Sequence, residues 1–260
     1  MARKSERYAR HLILPKVGAN GQLKLESARV LCVGAGGLGS PALLYLAAAG
    51  VGTIGIVDGD TVDVTNLQRQ VLFDEASLGK SKAECARERL QALNPLIDVK
   101  AYPVRLDEAN VFGIFKDYDC IVDGTDNFKA KYLINDACVA MGKVSVFAGI
   151  LQFEAQCTVF HPDGPCYRCL FPAPPAGGVN CAEAGVLGVL PGIVGAIQAA
   201  EVLKHILGIG DSLRGRLLLF DALSMEFTEV KIARNPECRI CVKREPLSSF
   251  ERGGNECAAR

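Results

Sequence analysis

The chain has no net charge, because its 29 lysine and arginine residues are balanced by 29 aspartate and glutamate residues. This balance removes the electrostatic reason to expect broad binding to nucleic acid or to an anionic membrane surface. A long apolar run is also missing. The most apolar stretch, residues 186–200, is shorter than a membrane span and contains Pro191 and Gln198. We predict a buried core helix there.

The first ten residues are polar and have no apolar segment behind them, so a secretory leader is not expected. A secreted disulfide framework is not expected either, although the chain has 11 cysteines among its 260 residues. We therefore predict a cytoplasmic location in a reducing compartment. Cys32, Cys120 and Cys157 lie inside apolar, strand-like runs, which is typical of small buried hydrophobic residues.

Four other cysteines form two pairs, Cys166-x-x-Cys169 and Cys238-x-x-Cys241. Two such pairs are typical of a structural zinc ion that is held by four thiolates in tetrahedral geometry. A single pair could be accidental or redox-active, but two pairs flanking the later strands favour a metal. We predict that this zinc site contributes stability and takes no part in catalysis.

Strand and helix patterns alternate from residue 29 onward, which predicts a Rossmann-like, mostly parallel α/β sheet with helices on both faces. The strands of this part are predicted at residues 30–33, 54–57, 99–102, 120–122 and 144–148. The helices between them are predicted at residues 38–49, 80–93, 107–115 and 128–141. After Gly149, successive strands favour antiparallel additions to the same sheet, at residues 156–161, 217–220 and 227–232. We predict an N-terminal helical arm at residues 1–28, a single domain at 29–242 and a flexible tail at 243–260.

A glycine-rich loop follows the first predicted strand, where residues 34–39 read Gly-Ala-Gly-Gly-Leu-Gly. Its spacing, Gly34-x-Gly36-x-x-Gly39, is the dinucleotide fingerprint, and the acidic Asp58 follows about 20 residues on. Such a loop holds phosphates on backbone N–H groups at a helix N-terminus. This fingerprint first indicates an NAD or FAD enzyme, although the Asp58 carboxylate, taken alone, suits NAD, FAD or ATP equally. Because ligands bind at the carboxyl ends of parallel strands, residues 34–39, 58–60 and 123–127 should converge on one crevice.

Cationic residues downstream of the loop favour ATP. Arg69 lies in a donor-rich loop and Lys82 lies near the start of a predicted helix. An NAD enzyme does not need these cations, whereas an enzyme that breaks an α–β phosphate bond must neutralise the departing pyrophosphate. Asp126 would supply a carboxylate oxygen for magnesium. The alternative for Asp126 is the N-cap of the helix predicted at residues 128–141.

These features form a pattern that spans residues 5–242. The segments that carry it are Arg7-Tyr-x-Arg10, Gly34-x-Gly-Gly-x-Gly39, Asp58-x-Asp60, Asn66-Leu-Gln-Arg-Gln70, Gly79-x-x-Lys82, Asp123-x-x-Asp-Asn127, Cys166-Tyr-Arg-Cys169, Cys181-x-Glu-Ala-Gly185 and Asn235-Pro-x-Cys-x-x-Cys241. In these segments the chain resembles the ThiF/MoeB/HesA group of ubiquitin-activating-enzyme-like adenylyltransferases. The resemblance implies that residues 29–242 form a single adenylation domain.

The resemblance implies ATP-dependent activation of a ubiquitin-like sulfur-carrier protein of the ThiS/MoaD type. The carrier's C-terminal Gly-Gly carboxylate would attack the α-phosphorus of ATP, which gives an acyl-adenylate and pyrophosphate. Sulfur would then come from a separate donor, a desulfurase or rhodanese, for cofactor or thio-metabolite biosynthesis. The sequence does not distinguish among the thiamine, molybdopterin, tRNA-thiolation and cysteine pathways.

The resemblance also implies roles for individual residues. Gly36 and Gly37 would hold phosphate, and Asp58 would bind the ribose. Asn66, Arg69 and Lys82 would contact the phosphates, and Asp60 belongs to the same nucleotide-binding set. Asp126 would hold magnesium, with Asn127 beside it. Arg10 would reach into the active site of the other subunit of a homodimer. Cys181 would form a covalent link with the carrier, as a thioester or an acyl disulfide; the alternative is an incidental loop cysteine.

Other functions remain open at this point. A related enzyme of the tRNA threonylcarbamoyladenosine dehydratase type uses a similar ATP site, but that branch generally lacks the paired cysteines. An NAD-dependent dehydrogenase would need a hydride-transfer partner, yet no Tyr-x-x-x-Lys motif is present and the three histidines do not follow the expected strand ends. A catalytically inactive scaffold is disfavoured because Arg69, Lys82 and Asp126 are all present.

Overall fold

The computed structural model describes residues 2–173 and 185–245, and an eight-stranded sheet organises this part of the chain. The strand order is β3-β2-β1-β4-β5-β6-β7-β8. Strands β1 to β5 pair in parallel, and β6 to β8 extend the sheet antiparallel. The strands are β1 Arg29–Val33, β2 Thr53–Val57, β3 Asp98–Tyr102, β4 Cys120–Asp123, β5 Val144–Leu151, β6 Glu154–Phe160, β7 Arg216–Asp221 and β8 Glu226–Lys231. The predicted fold class is confirmed.

Helices cover both faces of the parallel part, in agreement with its continuously buried strands. Val30 and Cys32 of β1 pack in one core with α4, α5 and α9, whereas Leu31 and Val33 pack in a second core with α6 and α7. The longer helices are α3 Gly18–Ser27, α4 Gly39–Ala49, α5 Lys82–Leu93, α7 Phe128–Met141 and α9 Val189–Leu207. The short ones are α1 Ala2–Arg7, α2 Ala9–Leu12, α6 Val111–Phe115 and α8 Tyr167–Leu170.

The apolar helix α9 is a core helix, as predicted, although it begins later and extends further than residues 186–200. By length and composition its 19 residues could cross a membrane. In this fold α9 instead packs against α4, β5 and β6. Two of its polar residues are buried and hydrogen-bonded: Gln198 donates to Asp123 O at 2.8 Å, and Glu201 accepts from the backbone N–H of Leu213 at 2.9 Å.

The predicted N-terminal arm contains the three helices α1, α2 and α3. It is fixed at the C-terminal ends of α4 and α5. Asn94 donates to the buried Tyr8 hydroxyl at 2.9 Å, and Gln22 donates to Ala49 O at 3.1 Å. The Tyr8 ring lies against Gly50, where a Cβ atom would come 2.5 Å from the hydroxyl oxygen. The arm therefore lies at the edge of the sheet opposite the glycine-rich loop.

Two further elements, α6 and β5, differ from the sequence-based predictions for reasons that the hydrogen bonds explain. The helix predicted at residues 107–115 begins only at Val111, because Asp107 accepts from the N–H groups of Ala109 and Asn110 in a local turn. Strand β5 is longer than predicted because its antiparallel pairing with β6 continues to the pair Leu151 and Glu154. The division into arm, domain and tail stays a prediction, and residues 246–260 of the tail lie outside the described residues.

Candidate functional site

The glycine-rich loop joins β1 to α4 at the carboxyl edge of the parallel strands. Gly34 has a positive φ of 91°, and a Cβ atom there would lie 2.7 Å from Gly124 O. A Cβ on Gly39 would lie 1.9 Å from Gly34 O. Both positions therefore require glycine. No side chain caps the N-terminus of α4. The N–H of Ser40 donates to Gly36 O at 2.9 Å and Pro41 has no N–H, so an anion would bind the N–H groups that precede Ser40.

Asp58 follows β2 and is tied to this loop. Its Oδ2 accepts from the backbone N–H of Ala35 at 2.8 Å, and its Oδ1 accepts from that of Asp60 at 2.9 Å. Each oxygen keeps a second lone pair for a ligand hydroxyl. Burial raises the pKa of the Asp58 carboxyl above its ordinary value, against the lowering effect of the two N–H donors and of Lys82.

Lys82 is brought beside Asp60 by a short antiparallel contact. Thr61 pairs with Ser81, and the N–H of Lys82 donates to Asp60 O at 3.0 Å. The Lys82 ammonium lies 3.7 Å from the Asp60 carboxylate, and only 9% of the Lys82 side chain is exposed. Asp60 also contacts Arg105 at 3.3 Å. The result is a largely buried cation at the start of α5.

The loop that contains Asn66 and Arg69 lies over the glycines. A Cβ on Gly37 would be 3.5 Å from Arg69 Cγ, and one on Gly36 would be 3.6 Å from Gln70 Nε2. The Arg69 guanidinium donates to Thr65 O at 3.0 Å, which holds the side chain within its own loop. Asn66 Oδ1 accepts from Asp63 N at 3.2 Å in a capping box. Its side-chain amide N–H groups are not used in that bond.

Asp126 and Asn127 are adjacent but differ in their hydrogen bonds. Asn127, and not Asp126, caps α7: its Oδ1 accepts from Ala130 N at 2.9 Å. Asp126 is exposed, and no side chain in residues 2–173 and 185–245 donates to its carboxylate. The N-cap alternative for Asp126 is therefore wrong. A free carboxylate beside a phosphate-binding loop fits magnesium, which prefers hard oxygen ligands.

Arg10 lies far from the glycine-rich loop of its own chain. It is an exposed residue of α2, and α2 is part of the arm that packs at the C-terminal end of α4. The loop lies at the N-terminal end of the same helix. An 11-residue helix separates its ends by about 16 Å.

The four paired cysteines meet in space. Cys166 Sγ lies 3.9 Å from Cys169 Sγ and 3.7 Å from Cys238 Sγ, and Cys169 Sγ lies 3.5 Å from Cys241 Sγ. All four sulfurs lie within 4.8 Å of one another. Tetrahedral zinc with thiolate ligands requires S–S separations of about 3.8 Å, so the residues fit this metal. The N–H of Asn235 donates to Cys169 Sγ at 3.4 Å.

Buried polar residues around the site were missed by the sequence reasoning. Gln70 is buried against the loop, and its Oε1 has no partner within the described residues. Asp123 and Lys131 form a buried ion pair beneath Asp126. A lysine within the apolar helix pattern of residues 128–141 was the available signal for this pair. Cys181 lies outside the described residues.

Together, these contacts bring the glycine-rich loop, Asp58, Asp60, Arg69, Lys82 and Asp126 to one edge of the sheet. The fold and this edge define a Rossmann-like α/β protein with a glycine-rich loop at a helix N-terminus, nearby cations and the exposed carboxylate of Asp126. Residues 8–240 match the ThiF family. The chain belongs to the ThiF family.

The chain is also similar to individual proteins and to solved structures. The chain is 54% identical over 244 residues to the "Sulfur carrier protein adenylyltransferase" of Thermus thermophilus, which covers 91% of this chain and 90% of that protein. It is 52% identical over 237 residues to the "Probable adenylyltransferase/sulfurtransferase MoeZ" of Mycobacterium tuberculosis. That match covers 88% of this chain and 60% of the longer MoeZ protein. The solved structure of E. coli MccB with ATP matches with a TM-score of 0.79 and 26% identity, over 90% of this chain and 74% of that one.

The family comparison confirms the predicted ThiF/MoeB/HesA resemblance. The names of the relatives bear out the prediction of an adenylyltransferase that acts on a sulfur-carrier protein, and favour it over the tRNA-modifying alternative.

Proposed function

We propose that this chain uses ATP to adenylate the C-terminal Gly-Gly carboxylate of a ubiquitin-like sulfur carrier. The observation that carries the proposal is the meeting of a glycine-rich loop with the two cations Arg69 and Lys82 and the exposed Asp126 carboxylate at one edge of the sheet. A dehydrogenase would have no use for the cations. An enzyme that expels pyrophosphate needs them, because charge develops on the leaving group.

Each side chain of the edge has a task in this reaction. The N–H groups at Gly36, Gly37 and the start of α4 would hold phosphate oxygens. Asp58 would accept from the ribose hydroxyls through its remaining lone pairs. Asp60 would act through Lys82, whose ammonium it holds. Asn66, Arg69 and Lys82 would contact the phosphates.

The attack itself requires no protein base. The carrier carboxylate is ionised at neutral pH, so its oxygen can attack the α-phosphorus directly as the bond to pyrophosphate breaks. The protein contributes alignment and charge stabilisation. Magnesium would be held by Asp126, with Asn127 beside it, and when bound it neutralises phosphate charge.

The position of Arg10 supports a site shared between two subunits. Because Arg10 and the glycine-rich loop lie at opposite ends of α4, Arg10 cannot serve its own loop without leaving the arm. We propose a homodimer in which Arg10 of each chain enters the other chain's nucleotide site.

Cys181 would carry the step after adenylation. Its thiolate sulfur would attack the acyl carbon of the carrier adenylate and expel AMP, which leaves a thioester. A separate donor, a desulfurase or rhodanese, would then supply sulfur. Full-rate sulfur transfer by Cys181→Ser in the reconstituted pathway would refute this role.

The cysteine cluster would hold structural zinc through Cys166, Cys169, Cys238 and Cys241. Its spacing supports this assignment, and it closes all four ligand positions. A cytoplasmic location is also proposed, because every cysteine in the described residues is free of disulfide bonds.

The function is tested by ATP–pyrophosphate exchange. The purified protein is incubated with labelled pyrophosphate, ATP, magnesium and each Gly-Gly-ending carrier of the same genome. We expect exchange with at least one carrier, and none with the same carrier lacking its last glycine. Exchange that depends on tRNA and not on a carrier would favour the alternative, and the absence of exchange with every carrier would refute the proposal.

A further inference from the structure

Asp123, at the end of β4, is a buried carboxylate with four separate anchors. It is 3% exposed. Its Oδ1 accepts from the N–H of Thr125 at 3.0 Å and from the Thr125 hydroxyl at 2.6 Å. Its backbone oxygen accepts from Gln198 Nε2 at 2.8 Å. The fourth anchor is the ammonium of Lys131.

Lys131 comes from the second turn of α7 and is itself buried. Its Nζ donates to Asp123 Oδ1 at 3.3 Å and Oδ2 at 3.2 Å, and to Ala148 O of β5 at 2.7 Å. The ammonium also lies 4.8 Å from the centroid of the Phe147 ring. A buried carboxylate without a cation is strongly unfavourable. Lys131 therefore balances the charge of Asp123 and ties α7 to β4 and β5.

The short segment between Asp123 and Asn127 carries Asp126. Gly124 donates to Val33 O at 2.8 Å and contacts Gly34, so the segment lies against the glycine-rich loop. Asn127 fixes its other end by capping α7. With three residues between two fixed ends, and at most about 3.6 Å of chain per residue, the backbone of Asp126 has little freedom relative to the loop.

We propose that Lys131 is a positioning residue, which holds the Asp126 carboxylate in place for magnesium through Asp123 and Thr125. Because the Lys131 ammonium is engaged by Asp123 and Ala148 O, it would act through them and not by contact with the nucleotide or the metal. The inference rests on the proposed function for its magnesium site. Supporting groups behind metal ligands change metal affinity or activity by about 10- to 100-fold when they are replaced.

The test compares two lysines that make the same kinds of contact. Lys204 binds the buried Glu201 and donates to Asp211 O at 2.8 Å, in the C-terminal half of α9 and away from the site. Lys131→Met and Lys204→Met therefore each remove a cation from a buried carboxylate. Lys131→Arg keeps the charge, and Thr125→Val removes one donor to Asp123 with little change of shape.

Binding of a non-hydrolysable ATP analogue is measured at increasing magnesium, without any carrier, together with the melting temperature. For Lys131→Met we expect the half-saturating magnesium concentration to rise about tenfold, and we expect a smaller rise for Thr125→Val. Lys131→Arg should stay near wild type. Lys204→Met should lower the melting temperature without changing the magnesium requirement.

An unchanged magnesium requirement in folded Lys131→Met would overturn the proposal, as would an equal rise in Lys204→Met. If Lys131→Met does not fold, Thr125→Val decides, and an unchanged requirement there overturns it. Carrier exchange by the wild type is a separate measurement. If the wild type binds ATP with magnesium but shows no exchange with any carrier, the proposed function is refuted. The magnesium titrations of the Lys131 variants would still test the positioning role.

Discussion

The edge of the sheet that carries the glycine-rich loop and the cysteine cluster beside α8 differ in how open their potential ligands are. At the edge, Asp126 is exposed and unbonded within the described residues, and the N-terminus of α4 is uncapped. In the cluster, the four sulfurs face one another within 4.8 Å and three of the four residues are buried. An open set of ligands can exchange a substrate and a metal, whereas a closed set can only hold one ion. If the proposed function holds, catalysis and zinc-dependent stability are located in separate parts of this fold.

Replacement of Asp126 should have the largest effect on activity and the smallest effect on stability. Asp126→Ala should lower carrier-dependent pyrophosphate exchange by about a hundredfold or more. The melting temperature should stay unchanged, because the side chain makes no bond to the described residues. Exchange kinetics and thermal unfolding are measured on the same preparation. Retained exchange would refute the assignment of Asp126, and a large loss of stability would show that the edge is not open.

Replacement of a cysteine in the cluster should lower stability and leave nucleotide binding intact. Cys238→Ser, or removal of zinc by a chelator, should lower the melting temperature by about 10 °C, since 1 kcal/mol shifts it by about 2–4 °C in a chain of this size and a metal site supplies several. Nucleotide binding at low temperature should persist. Metal analysis of protein purified without chelator supplies the control, and zinc-free protein of full stability would contradict the site.

The nucleotide edge has a second test in mixed dimers. Arg10→Ala and Asp126→Ala proteins should each be inactive, but a mixture refolded together should recover up to about a quarter of wild-type exchange. Only mixed dimers then contain one intact shared site. Because Arg10 is exposed, neither change should alter stability. A mixture as inactive as its components would place Arg10 outside the partner's site.

The smallest expected effect concerns pH. Burial raises the pKa of Asp58, so its carboxyl should gain a proton at a higher pH than an ordinary aspartate does. Because the ionised form is the better acceptor for ribose hydroxyls, kcat/KM for ATP should fall on the acid side, starting above the ordinary aspartate range. Asp58→Asn should be weaker and should lack this acid limb. An identical pH profile in both proteins would contradict this role.

The sequence predicted the parallel strands, the glycine-rich loop and the paired cysteines because each depends on local spacing. It did not predict the start of α6 at Val111, since the turn made by Asp107 competes with the helix. It also missed the link from Lys131 to Asp123, which joins residues of different elements through tertiary packing. The choice between Asp126 and Asn127 as the cap of α7 required geometry, because both side chains can accept the same N–H bond.

The central claim is that the carrier carboxylate attacks the α-phosphorus of ATP. The most direct measurement incubates the Cys181→Ala protein, which lacks the thiol proposed to expel AMP, and a Gly-Gly-ending carrier with ATP labelled at the α-phosphate or, in parallel, at the γ-phosphate. Our account predicts α-label bound to the carrier in an acid-stable, hydroxylamine-sensitive adduct, with the γ-label released as pyrophosphate. Label transferred to the carrier from the γ-phosphate, or ATP cleaved to ADP and phosphate, would contradict it.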